Sequence, residues 1–328
     1  MGRFINYVNA HKRGACIGVL AFVCIAALFI GAYAMWPRRQ QLVPGAPSAY
    51  SLEIAGGDLY LKEDVKTLLI LGIGETSERD PTPIAKSVQL LLYDQGQNSM
   101  QLYYLPAELT LDAVYLDDSA ALPPQKMPLM RVYSSLYADK ALCAQSMMRT
   151  VSNALGGIPI QSCIALSAAQ LQQWVMGIEY VTLLLDSDLY IRSDLSLPAG
   201  ERRISEHVAD FLQLTSFDQQ QVLRPFEIDF EKYERHQDMA YALLQRLCQV
   251  REEDGERALM PPNYEYSTLD ATQLSYWMDC YESAAQHLKT SAARIHSQSG
   301  EERIFLLDEI ATKEWLKKTF FAPLPAAS

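Results

Sequence analysis

The chain has 328 residues, of which 28 are basic and 39 acidic, so its formal net charge at pH 7 is −11. Hydrophobic residues make up 49% and charged residues 20%, a balance that excludes wholesale disorder. Residues 1–36 carry three basic and no acidic side chains, so the rest of the chain carries 25 − 39 = −14. A chain with this net negative charge is not expected to bind nucleic acid through general attraction to its phosphates.

The N-terminal region predicts a membrane anchor. Residues 14–36 form an uncharged run of 23 residues. At about 1.5 Å per residue the run spans about 34 Å, enough for a hydrocarbon core of about 30 Å. More basic residues precede the run than follow it, which favours a cytoplasmic tail over 1–13. A cleaved signal peptide is the alternative, because Ala32-Tyr33-Ala34 has the small-x-small form of a cleavage site. In either case we expect residues 37–328 outside the cell, and the anchored form at the cell membrane.

The exported part begins with a spacer over 37–58 that is rich in Pro, Gly, Ala and Ser. Apolar runs bounded by turn residues then alternate with apolar residues at helical spacing. This pattern predicts an α/β (α+β) fold, a single mixed-sheet domain flanked by helices over 59–321, and a short tail over 322–328. Predicted strands cover 67–73, 88–93, 100–105, 160–165, 180–185 and 303–307, and predicted helices cover 138–155, 168–176, 233–250 and 273–291.

The predicted helix over 233–250 has the clearest apolar face. Four apolar residues recur there at helical spacing, which predicts that this side of the helix packs on the core. They are Met239, Leu243, Leu244 and Leu247.

The four cysteines beyond the anchor are widely spaced and form no Cys-x-x-Cys pair. They are Cys143, Cys163, Cys248 and Cys280. No histidine stands at ligand spacing from them, so the pattern argues against a zinc site. Disulfides are permitted outside the cell, but a domain of this size does not need them, and we expect buried free thiols.

The start of the helix over 233–250 is the most informative polar stretch, because standard catalytic motifs such as Gly-x-Ser-x-Gly and His-Glu-x-x-His are absent from the sequence. Lys232 and Arg235 stand three residues apart, so they lie on one face of a helix. Two cations on one face can hold a phosphate or pyrophosphate. The alternative is a solvated face on which the two cations pair with Glu231 and Glu234.

Six segments follow one another in an order that is typical of one family. They are TLLILGIG, KSVQLLLYDQGQNSMQLYYLPAEL, RVYSSLY, TVSNALGGIPIQSCIALSAAQLQQWV, LSLPAGERRIS and IDFEKYERHQ. The last is similar to an Asp-Phe-x-Arg-x-x-Arg-Gln motif, and the second resembles two strands between Arg-Ser-Asp-Thr and Pro-Arg-Asp. From about residue 67 to about residue 321, the chain resembles the LytR-CpsA-Psr family of Gram-positive cell envelopes.

The resemblance implies a specific activity. Such proteins move a glycopolymer phosphate from an undecaprenyl-pyrophosphate carrier to peptidoglycan. Arginines hold the pyrophosphate, acidic residues hold a divalent metal such as Mg²⁺ or assist the attacking hydroxyl, and an apolar pocket holds the lipid. The matching polar positions in this chain form the candidate pyrophosphate site, which consists of Lys86, Glu108, Arg131, Asp229, Lys232, Arg235 and Gln237.

The chain departs from the family pattern at several charged positions. Val88 stands where the family has the metal-binding aspartate, and Ala107 stands where it has an arginine. Gln213 and Thr215 fall where the family has paired arginines. Loss of an arginine removes a bidentate hydrogen-bond donor.

Two main hypotheses follow from these departures. The favoured one is a degenerate or altered member that binds a lipid-linked glycopolymer, peptidoglycan or an envelope-assembly protein. The alternative is an active phosphotransferase, with Mg²⁺ as a cofactor, that works with the cations that remain. An unrelated exported scaffold or sensor of similar layout is a third interpretation.

Overall fold

The computed structural model describes residues 59–74, 82–114, 125–136, 139–192, 195–213, 230–254, 260–298 and 304–323. These residues fall within one compact unit, 46–328. The predicted tail, membrane span and spacer lie outside the described residues. Within the described ranges, the helices are too short or too polar to cross a membrane.

The described chain contains seven α-helices and sixteen strands, most of them short. The strands are β1 Leu59–Leu61, β2 Val65–Ile73, β3 Ala85–Asp94, β4 Ser99–Leu105, β5 Thr110–Ala113, β6 Gln125–Pro128, β7 Ser162–Ser167, β8 Val181–Leu185, β9 Leu189–Arg192, β10 Leu195–Leu197, β11 Gly200–Ile204, β12 Tyr266–Ser267, β13 Leu288–Ala292, β14 Ile295–Gln298, β15 Ile304–Leu307 and β16 Phe321–Pro323. The helices are α1 Leu129–Val132, α2 Lys140–Ala154, α3 Ala168–Gly177, α4 Val208–Gln213, α5 Phe230–Asp254, α6 Ala271–Ser283 and α7 Glu309–Phe320.

A six-stranded mixed sheet forms the centre of the molecule, in the order β12-β7-β2-β3-β4-β13. Strand β2 runs antiparallel to β3 and parallel to β7, and β4 runs antiparallel to β3 and parallel to β13. The carboxyl ends of β2, β4, β7 and β13 therefore meet at one edge of the sheet. This architecture confirms the predicted mixed α/β fold with flanking helices.

Both faces of the sheet are buried. On β3, Leu90 and Leu92 pack into a core on the side of α2 and α7, and Leu91 packs into a second core on the side of α3, α5 and α6. Successive residues of a strand point to opposite faces, so a strand covered on both sides is a continuous apolar run. This explains why β2 and β3 were recognisable from the sequence.

The prediction of a helix over 273–291 is wrong for the second half of that range. Helix α6 ends at Ser283, a single 3₁₀ turn covers Ala285–His287, and the chain then becomes strand β13. Leu288 adopts an extended conformation and pairs with Met100 of β4. The open edge of β4 offers backbone hydrogen bonds to this segment, and local helical spacing does not report such a long-range partner.

Other boundaries lie close to the predictions. Helix α3 begins after Ser167, which accepts a hydrogen bond from the backbone N–H of Gln170 in a capping box. Helix α5 is longer than predicted at both ends. The prediction of buried free thiols is confirmed, because all four cysteines beyond the anchor are free and buried.

A β-bulge lies where β2 and β3 begin to separate. Gly72 pairs with Ser87, but Ile73 pairs with Ala85, so Lys86 is an extra residue in β3. The two strands approach closely here, since a Cβ atom at Gly72 would lie 2.9 Å from the Cβ atom of Ser87. Only glycine fits this approach without displacing the neighbouring strand.

We expect Gly72→Ala to lower the free energy of unfolding by about 2 kcal/mol, because the added methyl group collides with a buried strand. Equilibrium urea unfolding, followed by tryptophan fluorescence, measures the change. The matched control is Gly177→Ala at the end of α3, where a Cβ atom would meet nothing within 4 Å. We expect the free energy of unfolding of that variant to rise by about 0.5 kcal/mol, because alanine restricts the unfolded chain more than glycine does. Equal losses in both variants would contradict the close approach at Gly72.

Candidate functional site

A cavity of about 360 Å³ lies between the central sheet and four helices. Its floor comes from β2, β3 and β7, and its walls come from α3, α4, α5 and α6. All four residues of the apolar face predicted on α5 line this cavity, namely Met239, Leu243, Leu244 and Leu247. Leu171, Trp174 and Trp277 contribute further apolar surface. Such a lining suits a hydrocarbon chain, because burial of apolar surface stabilises the bound ligand.

The lining becomes polar at the edge of the sheet where β2 and β7 end. Lys86, Ser87, Ser167 and His236 line the cavity there. In open α/β sheets, ligands bind outside the carboxyl ends of the parallel strands, and this edge has that character. We call this end the mouth of the cavity, defined by these four residues.

The β-bulge gives Lys86 its position. Val88 packs into the core on the opposite face, and strict alternation would place Lys86 on that face as well. The extra residue shifts the alternation, so Lys86 and Ser87 both line the cavity. The methylene chain of Lys86 lies against Gly74, where a Cβ atom would come within 2.6 Å of its Cε. The exposed ammonium group is thus carried on a stem that rests on the strand.

Two stacked tyrosines stand beside the first turns of α5. The rings of Tyr104 on β4 and Tyr233 on α5 stack with centroids 3.6 Å apart. The hydroxyl of Tyr233 donates a hydrogen bond of 2.6 Å to Oε2 of Glu108. Burial raises the pKa of Tyr104 well above its ordinary value, and the neighbouring Tyr233 and Glu108 raise it further. Tyr104 is therefore a neutral phenol at physiological pH.

Backbone hydrogen bonds join the Glu108 segment to the short helix α1. The N–H of Met130 donates to the carbonyl of Ala107 at 2.8 Å, and the N–H of Leu129 donates to the carbonyl of Leu109 at 2.7 Å. These bonds hold the exposed Arg131 close in the fold to the loop that carries Glu108. The structure thus brings together the second and third segments of the sequence resemblance.

The remaining candidates fall in different surroundings. Arg235 is buried in the first part of α5, and Asp229 lies outside the described residues. The backbone of Lys232 belongs to α5, but its side chain is likewise outside the part of the chain that the structure describes. Gln237 donates hydrogen bonds to the carbonyls of Leu102 and Ser291, at 3.2 and 3.1 Å. It joins α5 to β4 and β13.

Among the candidates with described side chains, Lys86 alone lines the cavity; Glu108, Arg131, Arg235 and Gln237 do not. Sequence reasoning missed His236 and Gln89, which do. His236 is buried, and its Nε2 atom lies 2.9 Å from the carbonyl oxygen of Leu212. The sequence offered one signal for His236: it directly follows Arg235, at the position where the family motif has glutamine.

The described residues contain no cluster of three or more His, Cys, Asp or Glu side chains that could hold a metal ion. Val88 points away from the cavity, so that position offers no ligand on the cavity side. Among the residues that the structure describes, no carboxylate lines the cavity.

Solved structures of other proteins match this chain over most of their length. TagV of B. subtilis aligns with a TM-score of 0.59 and 14% identity over 79% of this chain and 98% of TagV. The Lin1025 protein of Listeria innocua aligns with a TM-score of 0.58 and 13% identity over 78% of this chain and 98% of its own. TagT bound to LI-WTA aligns with a TM-score of 0.56 and 11% identity over 78% of this chain and 91% of TagT. The chain has their fold.

At these identities the likeness establishes the fold alone. The three proteins are structures of the LytR-CpsA-Psr family, so the architecture implied by the sequence resemblance is confirmed. By sequence, no family model and no curated protein matches the chain.

The contact between Tyr233 and Glu108 should couple α5 to the loop after β4. In a double-mutant cycle of Tyr233→Phe and Glu108→Ala, we expect a coupling free energy of about 1.5 kcal/mol, because the bond is short and joins a phenol to a carboxyl oxygen. Urea unfolding of the four proteins measures the coupling. The control cycle pairs Glu108→Ala with Tyr241→Phe, whose hydroxyl donates to the carbonyl of Lys289. We expect additivity there, and equal coupling in both cycles would contradict a direct interaction.

Proposed function

We propose that this chain is a divergent, membrane-anchored LytR-CpsA-Psr protein that binds the lipid end of a lipid-linked envelope glycopolymer and does not transfer it. The observation that carries this proposal is the apolar cavity under α5, which opens at a polar mouth. The shared fold supports a role in the cell envelope. The anchor over 14–36 and the extracellular location are part of the proposal and rest on the sequence.

The cavity suits the lipid better than it suits the transfer reaction. Among its described lining residues, Lys86 is the only side chain with a permanent positive charge. Phosphoryl transfer depends on several fixed positive groups that stabilise charge on the transferred phosphoryl in the transition state. A single flexible lysine provides a point charge and lacks the planar geometry with which arginine holds a phosphate.

The loop before Glu108 supports the same conclusion. Ala107 is buried, and its carbonyl is engaged by α1, so this position packs the loop against the domain. The family has an arginine here, and alanine cannot replace its donors. In the proposed function, the protein would hold a lipid-linked glycan or present it to a partner enzyme.

TagT bound to LI-WTA supports glycopolymer as the ligand class, because that protein has this fold and its complex contains LI-WTA. The same likeness also favours the second candidate, an active glycopolymer phosphotransferase. Both candidate functions require the protein to bind the lipid-linked glycopolymer, but only the phosphotransferase would transfer it. Binding and turnover are therefore tested in separate experiments.

Blocking the cavity should abolish lipid binding. Ala240 lines the cavity from α5, and we expect Ala240→Trp to weaken binding of farnesyl pyrophosphate by at least about tenfold, because the indole fills the space for the chain. Binding is measured by isothermal titration with the full chain in lipid nanodiscs. The matched control is Gln245→Trp, an exposed position on the same helix, and its affinity should equal that of the parent. Equal binding by all three proteins would contradict the cavity as the lipid site.

We further expect no turnover. The full chain in nanodiscs, incubated with Mg²⁺, a polyprenyl-pyrophosphate-linked glycan and peptidoglycan, should release no lipid phosphate above a protein-free control. Multiple turnovers that are lost in Arg235→Ala would contradict the proposal and establish the phosphotransferase. The Gln245→Trp variant serves as the folded control in that comparison.

A further inference from the structure

A second pocket, of about 230 Å³, lies behind the apolar cavity, at the end of the sheet opposite the mouth. It is lined by the segments where β2 and β7 begin and by the first turns of α6. Among the residues that the structure describes, Trp277 alone lines both the second pocket and the cavity. The other lining residues of the second pocket are polar, namely Lys66, Gln161, Ser162, Thr272, Gln273 and Tyr276.

The register of the sheet places the two spaces in one line. Lys66 and Leu68 are successive residues on one face of β2; the first lines the second pocket, and the next lines the cavity. The adjacent strand β7 repeats this order, with Ser162 in the second pocket and Ile164 in the cavity. The two spaces therefore follow one another along the same face of the sheet, and Trp277 stands where they meet.

Trp277 is held at this place by packing. Its side chain is 3% exposed, and its ring meets the ring of Tyr276 edge-on, with centroids 6.1 Å apart. Protein interiors are close-packed, so a buried ring can turn only where a space adjoins it. Trp277 has such a space on both sides. The second pocket in turn opens to the surface, because Gln161 and Thr272 are exposed.

The cavity is too short for a long prenyl chain. Leu68 and Gly74 both line it, and between them β2 advances about 20 Å at the usual rise of a strand. An extended carbon chain advances about 1.2 Å per bond, so about four prenyl units fill this length. A longer chain whose head group stays at the mouth must continue past Trp277.

Building on the proposed function, we propose that Trp277 is a gate through which the tail of a long prenyl chain leaves the cavity, and that the second pocket is its exit. The ligand class is a polyprenyl-linked glycan whose chain is longer than the cavity. A short chain stops at Trp277, because the apolar lining ends there. A long chain displaces the indole, since its first units are already bound and the next ones have no other space.

A fluorescent label in the second pocket reports the arrival of the tail. Thr272→Cys is labelled with bimane in the full chain in lipid nanodiscs. The cysteines beyond the anchor are buried, and the parent treated in the same way gives the background. Solanesyl pyrophosphate has a chain longer than the cavity, and we expect it to reduce quenching of the label by iodide about twofold, because hydrocarbon covers the label. Farnesyl pyrophosphate should leave the quenching unchanged, since its chain ends before Trp277.

The control label is placed at Gln245→Cys, which is exposed on α5 and outside both spaces. Neither ligand should change its quenching by iodide.

Filling the second pocket should act on long chains alone. We expect Thr272→Trp to weaken binding of solanesyl pyrophosphate at least about tenfold, because the added indole occupies the exit. Binding of farnesyl pyrophosphate to the same variant, measured by isothermal titration, should equal that of the parent. The matched control is Gln245→Trp, which should bind both ligands as the parent does. Urea unfolding of each variant verifies that the domain is intact.

The failures are distinguishable. The gate is overturned, and the lipid cavity left intact, if solanesyl pyrophosphate binds without shielding the label at Thr272→Cys, or if farnesyl pyrophosphate shields it equally. Equal affinity of Thr272→Trp and the parent for solanesyl pyrophosphate overturns the gate as well. Binding of farnesyl pyrophosphate alone makes Trp277 a closed end and also overturns the gate. Binding of neither ligand overturns the proposed function itself.

Discussion

The pairing of β2 with β3 is the interaction on which the rest of the structure depends. These strands are buried on both faces, so each supplies residues to two separate cores. One core is filled by α2 and α7, and burial of each leucine there contributes on the order of 2 kcal/mol. The other core, under α3, α5 and α6, leaves the cavity unfilled. The first core therefore stabilises the sheet whose opposite face forms the floor of the cavity.

The same pair of strands also positions the polar end of the cavity. Because β2, β4, β7 and β13 all end at one edge, the side chains that follow them gather there without any local motif in the sequence. The bulge at Lys86 adds the one cation of the described lining by shifting the alternation of β3. The close approach at Gly72 lies directly beside that bulge, because Gly72 pairs with Ser87, the residue that follows Lys86.

The sequence predicted those parts of the fold whose cause is local. The apolar runs of β2 and β3 and the face of α5 are all visible within a short stretch of the chain. Prediction from the sequence failed at β13, because Leu288–Ala292 forms a strand through its pairing with β4, a distant segment of the chain. At the site, periodicity could not reveal that Gln237 faces the sheet while His236 faces the cavity, since both stand on one turn of α5. The position of Lys86 depends on a bulge, which has no signature in the chain itself.

The pairing of β13 with β4 also constrains how the protein folds. Gln101 and Ser291, which meet across these strands, are 190 residues apart in the chain. Contacts of such separation close large loops and form slowly, so the sheet cannot be completed until nearly all of the chain has been synthesised. Until then, β4 presents an unpaired edge beside an apolar face. A chain that folds as it is synthesised would thus carry this open edge until residues 288–292 are available, and truncations before residue 288 would leave it permanently open to aggregation.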